Sequence, residues 1–196
     1  MSSKNEQITM LHGAGGTVMH DLVKNYIVKY FGGLGNAAEV PLEAMDDAAV
    51  IGDIVFKSDS HAVKPIFFPG GDIGRLSISG TVNDISALGA EPYALACGLI
   101  LEEGLLMSDL EKILSSMRQA CIEAGVGIVT GDTKVVEKGA LGGCVMNVSG
   151  IGRRTAALES NLAIVKQTRN LKSRWTLDSN LEIGDRIILS GTIGDH

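Results

Sequence analysis

Apolar residues recur at helical spacing in three stretches of the chain. The first predicts an amphipathic helix over about residues 18–31, with these apolar positions: Met19, Leu22, Val23, Tyr26, Ile27 and Tyr30. The second, over about residues 73–88, is rich in small residues, which would let the helix approach another backbone closely. Ser108 and Glu111 have the spacing of a capping box before a third apolar stripe, and Gly125 is a natural stop for that helix.

Short apolar or β-branched runs, separated by glycines, predict six strands. They cover residues 48–51, 54–58, 93–101, 127–130, 142–151 and 186–190. Their order mixes hairpin-like neighbours with helical crossovers. We therefore predict an α+β fold, with a mixed sheet and helices on one of its faces.

The pattern weakens after residue 152 into a polar, basic stretch. We expect a first domain over residues 1–152, a linker or surface insertion over 153–181, and the start of an incomplete domain over 182–196. A new strand only six residues before the last residue suggests that a second α/β domain is largely absent.

The charge, the apolar runs and the cysteines of the chain limit the classes of partner and compartment that are expected. The chain has 196 residues, 17 of them Lys or Arg and 23 Asp or Glu, so its formal net charge of −6 argues against binding to nucleic-acid phosphates. No apolar run reaches the roughly 18 residues that span a bilayer, so no membrane partner is expected. The three cysteines lack metal-ligand spacing and lie in apolar surroundings, which predicts reduced core thiols in a cytoplasmic protein.

Aspartates beside small or polar residues are the main candidates for chemistry. They lie at predicted strand ends or loops: Asp46, Asp47, Asp59, Asp72, Asp84 and Asp132. Each one alone is expected to cap a turn or a helix. As a set, in a chain without a His/Cys ligand pattern, they favour Mg²⁺ over zinc or iron. The histidines at positions 12, 20 and 61 have no partner at ligand spacing, so a structural or solvated role is expected for them.

Two glycine-rich loops precede predicted helices. Gly13, Gly15 and Gly16 would offer backbone N–H groups to an anion, although the loop could instead be a mobile N-terminal turn. The second loop contains Gly70 and Gly71 and leads to Asp72. Two such loops together with the aspartates favour a nucleotide polyphosphate site.

Two polar groups lie in otherwise apolar or small surroundings. Asn83 and Asp84 would be costly to bury unless they bind a ligand or form a helix–helix hydrogen bond. Asp132, Thr133 and Lys134 are expected to end a strand, where Asp132 could hold a metal and Lys134 could neutralise phosphate charge. A surface turn is the alternative for this second group.

Seven motifs, in order, resemble the HypE family of hydrogenase maturation proteins. They are DDAAV (46–50), SDS (58–60), FFPGGDIG (67–74), TVNDISALGAEP (81–92), ILEEG (100–104), GDTKVV (131–136) and SGTIGDH (190–196). The resemblance covers residues 8–152 and resumes over 182–196. HypE proteins belong to the ATP-binding superfamily of aminoimidazole ribonucleotide synthetase, selenophosphate synthetase and thiamine monophosphate kinase.

The resemblance implies a homodimer in which two N-terminal sheets close an eight-stranded barrel, with ATP in a groove near the interface. It implies that magnesium and phosphates gather at Asp46, Asp47, Asp59, Asp84 and Asp132, and that Gly13, Gly15 and Gly16 form a phosphate-covering loop. Catalytic roles are expected for Asp84 and Lys134. Further cofactor contacts are expected at Gly70, Gly71, Asp72, Asn83 and Thr133.

The resemblance also implies a reaction. HypE proteins accept a carbamoyl group on a C-terminal cysteine and use ATP to dehydrate it to a thiocyanate, the source of the cyanide ligands of [NiFe]-hydrogenase. A HypF-like carbamoyltransferase and a HypC–HypD-like complex are the expected partners. The second domain and its cysteine tail are missing from this sequence, so the chain alone is expected to be inactive. Residues 155–180 are longer and more basic than the family pattern, and the resemblance assigns them no role. The alternatives are another ATP-dependent superfamily enzyme, such as thiamine monophosphate kinase, and a non-catalytic nucleotide-binding dimerisation module.

Overall fold

The computed structural model describes residues 7–34, 37–189 and 191. Its helices are α1 (Gly16–Leu22), α2 (Lys29–Phe31), α3 (Ile73–Ala87), α4 (Met107–Ala124) and α5 (Ala156–Val165), and a π-helical turn over Val23–Val28 joins α1 to α2. The strands are β1 (Ala49–Ile51), β2 (Ile54–His61), β3 (Phe67–Phe68), β4 (Gly71–Asp72), β5 (Ala90–Glu102), β6 (Ile128–Val136) and β7 (Cys144–Arg154).

Five of these strands form one mixed sheet in the order β1-β2-β7-β5-β6. The pairs β1–β2, β2–β7 and β5–β7 are antiparallel, and β5–β6 is parallel. The parallel pair requires a crossover, which α4 provides because it lies between β5 and β6 in the chain. The predicted α+β class with a mixed sheet is therefore confirmed.

Helices α3 and α4 cover one face of the sheet. Their buried side chains pack with buried strand residues in one core: Ile73, Ile78, Ile113, Met117, Leu95, Met146 and Val148. Glycine allows this packing to be close, as the sequence predicted. A Cβ on Gly74 would overlap the carbonyl oxygen of Ile113 in α4, and a Cβ on Gly152 would overlap the Ile85 side chain of α3.

The opposite face, which we call the open face, is defined by the strand register. Phe56 and Ser58 of β2 lie beside Ile151 and Ser149 of β7, which in turn lie beside Ala94 and Ala96 of β5. Further along, Asn147 lies beside Gly98, and Gly98 lies beside Asp132 of β6. Phe56 is 47% exposed and Ile100 is 36% exposed on this face. The open face thus combines apolar side chains with small polar ones.

Three predictions about local structure were wrong. The GDTK segment lies inside β6 and does not end a strand, because β6 extends to Val136 along its parallel partner β5. The capping box is absent: Leu106 is the N-cap of α4, without a side-chain hydrogen bond, and Ser108 already lies in the helix. Residues 186–189 are not in a strand, since no other described strand pairs with them, and Ser190 lies outside the described residues.

Part of the predicted linker packs against the domain. Trp175 is fully buried, together with Leu158 of α5, in a second core cluster that includes Val50, Val55 and Leu88. This contact was not anticipated from the polar composition of the stretch. The division into three segments itself stays a prediction.

Two further observations bear on the sequence-based expectations. Cys97, Cys121 and Cys144 are free and buried, and desolvation raises the pKa of each thiol, so the prediction of core thiols is confirmed. Within the described chain, no helix has the length and apolar character needed to cross a bilayer.

Candidate functional site

A cavity of about 540 Å³ lies beside β1 and β2, and this size is in the range of ligand-binding pockets. Its walls come from three parts of the chain: α1 with the residues on either side of it, residues 41–49 before and at the start of β1, and residues 56–58 of β2. We refer to it as the cavity. It brings together residues that are far apart in the sequence and are related there only by residue type.

Glycines form one wall of the cavity. Gly15 and Gly16 line it, with φ angles of +76° and +68°. A Cβ at either position would meet nothing within 4 Å, so the backbone conformation and not crowding calls for glycine. Gly13 ends the short 3-10 helix Met10–Gly13 and is not part of the lining. The structure thus brings two of the three predicted loop glycines to the cavity.

Carboxylates form a second wall. Asp46 and Asp47 line the cavity, and the Asp47 backbone N–H donates to Asp46 Oδ1 over 3.0 Å. Partial desolvation raises the pKa of the Asp47 carboxyl, and the neighbouring charges of Asp84 and Asp46 raise it further. Two predicted metal residues and Asp84, which is predicted to be both catalytic and metal-binding, therefore influence one another at this wall.

Helix α3 brings Asp84 to this region. Among the described residues, Asp84 pairs with a strand and not with a second helix: its Oδ2 lies 2.6 Å from Nζ of Lys57, a residue of β2 that lines the cavity. The neighbouring Asn83 is exposed. Lys57 could not be predicted as a site residue, because it belongs to no recognised glycine or aspartate pattern.

Asp59 lies further along β2 on the side that faces α3. Its Oδ2 is 3.4 Å from Nε2 of His61, and a Cβ on Gly80 of α3 would lie 3.1 Å from the same carboxylate oxygen. His61 is mostly buried, which fits the structural role expected for it. His20, in contrast, lines the cavity.

The second glycine loop lies at the other end of α3. Asp72 is the N-cap of α3. Its Oδ1 accepts hydrogen bonds from Gly74 N at 2.7 Å, Arg75 N at 3.1 Å and Ser116 Oγ at 2.7 Å. Asp84 is about 18 Å further along the helix at 1.5 Å per residue. The predicted cofactor residues Gly70, Gly71 and Asp72 are therefore not brought to the cavity.

We expect Asp72→Ala to lower the free energy of unfolding by about 1–2 kcal/mol, since it removes the cap of α3 and leaves Ser116 without its acceptor. Asp72→Ser should restore most of this loss because serine is a good N-cap residue. Urea denaturation of both variants measures the effect. Calorimetry with ATP separates the two roles. An affinity that falls in Asp72→Ser, despite restored stability, would show that Asp72 contacts the nucleotide.

The GDTK residues lie on the opposite edge of the sheet. Three inter-strand spacings separate β2 from β6, about 14 Å at about 4.8 Å each. There, Lys134 Nζ lies 2.9 Å from Asp132 Oδ2, both side chains are 68% exposed, and the lysine lowers the pKa of the Asp132 carboxyl. Thr133 lies between them in β6 and so faces the other side of the sheet. Within one chain these residues do not join the cavity.

No single metal cluster results from the predicted aspartates. Among the described residues, no three His, Cys, Asp or Glu side chains are arranged to hold a metal ion. Asp46, Asp47 and Asp84 lie at or beside the cavity, Asp59 lies under α3, and Asp132 lies on β6. A metal bound by aspartates at the cavity would therefore need further ligands that are not side chains of these aspartates.

Comparison with known proteins shows which family the chain resembles. The profile of the AIR synthase related protein N-terminal domain matches residues 45–154. The carbamoyl dehydratase HypE of Escherichia coli is 38% identical over 192 residues, which is 96% of this chain and 52% of that protein. The chain thus spans about half the length of this curated relative.

Solved HypE structures are also similar to the chain. A structure of a HypE–HypF complex has a TM-score of 0.63 and 48% identity, over 68% of this chain and 42% of that one. A structure of HypE in complex with ATP has a TM-score of 0.52 and 44% identity, over 77% of this chain and 44% of that one. The resemblance to HypE predicted from the motifs is therefore confirmed.

Proposed function

The chain belongs to the AIR synthase related N-terminal domain family and is homologous to the HypE hydrogenase maturation proteins, and from this we propose that it binds Mg·ATP in the cavity. The observation that carries the proposal is the meeting of Gly15 and Gly16 with Asp46 and Asp47 in one cavity, beside Asp84. Backbone N–H groups of the glycines would contact the phosphates. The ATP complex of a HypE protein supports this assignment.

The charges at the cavity fit a divalent cation. Three carboxylates, Asp46, Asp47 and Asp84, face one ammonium, Lys57, so the group carries a formal charge of −2. Mg²⁺ commonly binds through one or two carboxylates, with waters and substrate phosphates as the remaining ligands. Asp46 and Asp47 would hold the ion, which would in turn neutralise charge on the phosphates. Binding of the metal and of the nucleotide should therefore depend on each other.

We infer a homodimer that joins the two separated parts of the site. A two-fold axis parallel to the strands, with the open faces together, would place β6 of one copy against the β1–β2 edge of the other. Asp132 and Lys134 of the partner subunit would then complete the cavity, with Lys134 neutralising phosphate charge. The exposed apolar side chains of the open face, such as Phe56, support burial in such an interface. Each sheet has five strands, so the predicted eight-stranded barrel would take four strands from each of the two paired sheets.

The reaction we propose is the ATP-dependent dehydration of a carbamoylated cysteine during [NiFe]-hydrogenase maturation. The carboxamide oxygen takes the γ-phosphoryl group and releases ADP. Loss of that oxygen as phosphate and of both protons from the nitrogen leaves a thiocyanate. Asp84 and Lys134 are the proposed catalytic residues. The name carbamoyl dehydratase of the relative supports this chemistry.

The acceptor sulfur would be none of the three cysteines described here. Cys97, Cys121 and Cys144 are buried and desolvation raises the pKa of each, so their thiolates are disfavoured. A HypF-like carbamoyltransferase would supply the carbamoyl group and a HypC–HypD-like complex would accept the cyanide. The HypE–HypF complex among the similar structures supports the first of these partners. We place the reaction in the cytoplasm.

The test of the proposed function is calorimetry with ATP in the presence of Mg²⁺, and again after chelation with EDTA. We expect binding with Mg²⁺ and a loss of affinity of at least tenfold without it, because the carboxylates would then repel the phosphates. Asp47→Asn should weaken binding, whereas Asp109→Asn, a change on α4 near Lys112, should not. Absence of ATP binding at millimolar Mg²⁺, or binding that ignores EDTA, would contradict the proposal.

A further inference from the structure

Lys57 occupies an unusual position for a charged side chain. It lies in the middle of β2, between the sheet and α3, and its side chain is only 21% exposed. The ion pair with Asp84 joins β2 to α3 at 2.6 Å, and Asp84 is itself only 27% exposed. Removing either partner from a half-buried pair would leave the other charge poorly solvated. A ligand that separates the pair would therefore have to supply each residue with a new partner of opposite charge.

Lys57 also lines the cavity. Among the described lining residues it is the one Lys or Arg, whereas Asp46 and Asp47 are acidic. An ammonium group has three donors, and in the described chain Asp84 is the one ion-pair partner of Nζ. The cavity thus contains a cation that is within reach of a bound anion but is held by a carboxylate in the absence of one.

An exchange of partners leaves neither Lys57 nor Asp84 unpaired only when a cation and an anion bind together. A divalent cation alone could draw Asp84 away, but Lys57 would then lose its partner. A phosphate alone could draw Lys57 away, but Asp84 would then face the phosphate unpaired. With a metal–phosphate complex, Asp84 turns to the metal and Lys57 to a phosphate oxygen, so every charge keeps an opposite neighbour.

We propose that Lys57 is a phosphate-binding residue of the cavity and that it exchanges Asp84 for a phosphate oxygen when a metal–nucleotide complex binds. The inference rests on the proposed binding of Mg·ATP. It adds that the chain forming the cavity supplies its own positively charged side chain, Lys57, to the phosphates. It also gives the Lys57–Asp84 pair a function: the pair couples the binding of the metal to the binding of the phosphates. A pair that only fastens β2 to α3 would show no such coupling.

Calorimetry on Lys57→Met and Lys57→Gln tests the exchange, with ATP and with adenosine as probes, at several Mg²⁺ concentrations. Glutamine can still donate a hydrogen bond to Asp84, so it serves where methionine impairs folding. We expect both variants to bind Mg·ATP about tenfold to a hundredfold more weakly, the loss of one charge-assisted hydrogen bond, and to bind adenosine as the wild type does. The factor by which Mg²⁺ strengthens ATP binding should also fall.

Lys112→Met is the matched control, since Lys112 pairs with Asp109 on α4 and is not part of the cavity lining. Its affinities should equal those of the wild type. If the wild type binds Mg·ATP and the Lys57 variants keep the wild-type ratio of ATP to adenosine affinity, the exchange is refuted and the proposed function stands. If the wild type does not bind Mg·ATP, the proposed function fails as well.

Discussion

A heterodimer of one Asp47→Asn chain and one Asp132→Asn chain is expected to bind one Mg·ATP, although homodimers of either variant should bind it poorly. Asp47 lies at the cavity, whereas Asp132 lies on β6, which is three inter-strand spacings, about 14 Å, from β2 within the same chain. In the proposed dimer, each site combines the cavity of one chain with β6 of the other. The heterodimer therefore has one site with both substitutions and one site with neither.

The measurement uses co-expression with two different affinity tags, tandem purification of the mixed dimer, and calorimetry for the number of sites. The control is a heterodimer of Asp47→Asn and Asp84→Asn chains. Both substitutions affect the cavity half, so each of its sites contains one defect and no binding should be restored. Equal binding by the two heterodimers, or a monomeric mass by light scattering, would contradict a site shared between subunits.

The pattern of apolar residues could predict most elements but not their lengths. The predicted strand over residues 54–58 extends to His61 in the structure. Residues 57–61 are polar at every position, in the order Lys-Ser-Asp-Ser-His, so the alternation of apolar and polar residues that identifies a strand disappears. Their backbone still pairs with β7, and the inward-facing charges of Lys57 and Asp59 are accommodated beside α3. Tertiary contacts, and not local pattern, set the end of this strand.

The candidate site could be predicted by residue type but not by position. The sequence pattern groups Lys134 with Asp132, two residues earlier, but the strand order places both on the edge away from the cavity. The two glycines before Asp72 predict a cofactor contact, but in the structure its carboxylate caps α3. Strand order and helix caps depend on pairing across long sequence separations, which residue spacing does not contain. Lys57 was missed for the same reason, since its partner Asp84 is remote in sequence.

The stretch after residue 152 illustrates a different limit. Its polar composition predicts a linker or a surface insertion, but it does not predict that one aromatic residue packs into a core cluster. Trp175 is fully buried, and the guanidinium groups of Arg154 and Arg174 lie 5.3 and 5.7 Å from its ring centre. Arg174 also bonds Asp53, at 2.7 Å, and both carboxylate oxygens of Glu39. The average composition of a segment does not reveal a single large apolar side chain, so the burial of Trp175 could not be predicted from it.

Trp175→Ala is therefore expected to lower the free energy of unfolding by about 3–5 kcal/mol, the usual cost of removing a buried tryptophan. The loss should be global, because Trp175 packs with Val50 and Val55 of the sheet as well as with Leu158 of α5. Guanidinium denaturation followed by circular dichroism measures it. Trp175→Phe should recover part of the loss, since phenylalanine fills part of the space.

Leu181→Ala is the control for this prediction, because Leu181 lies six residues later and is 69% exposed. Its free energy of unfolding should stay within about 0.5 kcal/mol of the wild type, as for most exposed positions. If residues 153–181 were only a linker, Trp175→Ala would behave like Leu181→Ala, and limited proteolysis would cut the stretch without unfolding the sheet. A large loss confined to Trp175→Ala would instead make the buried part of this stretch a component of the same cooperative unit as β1 and β2, next to the wall of the cavity.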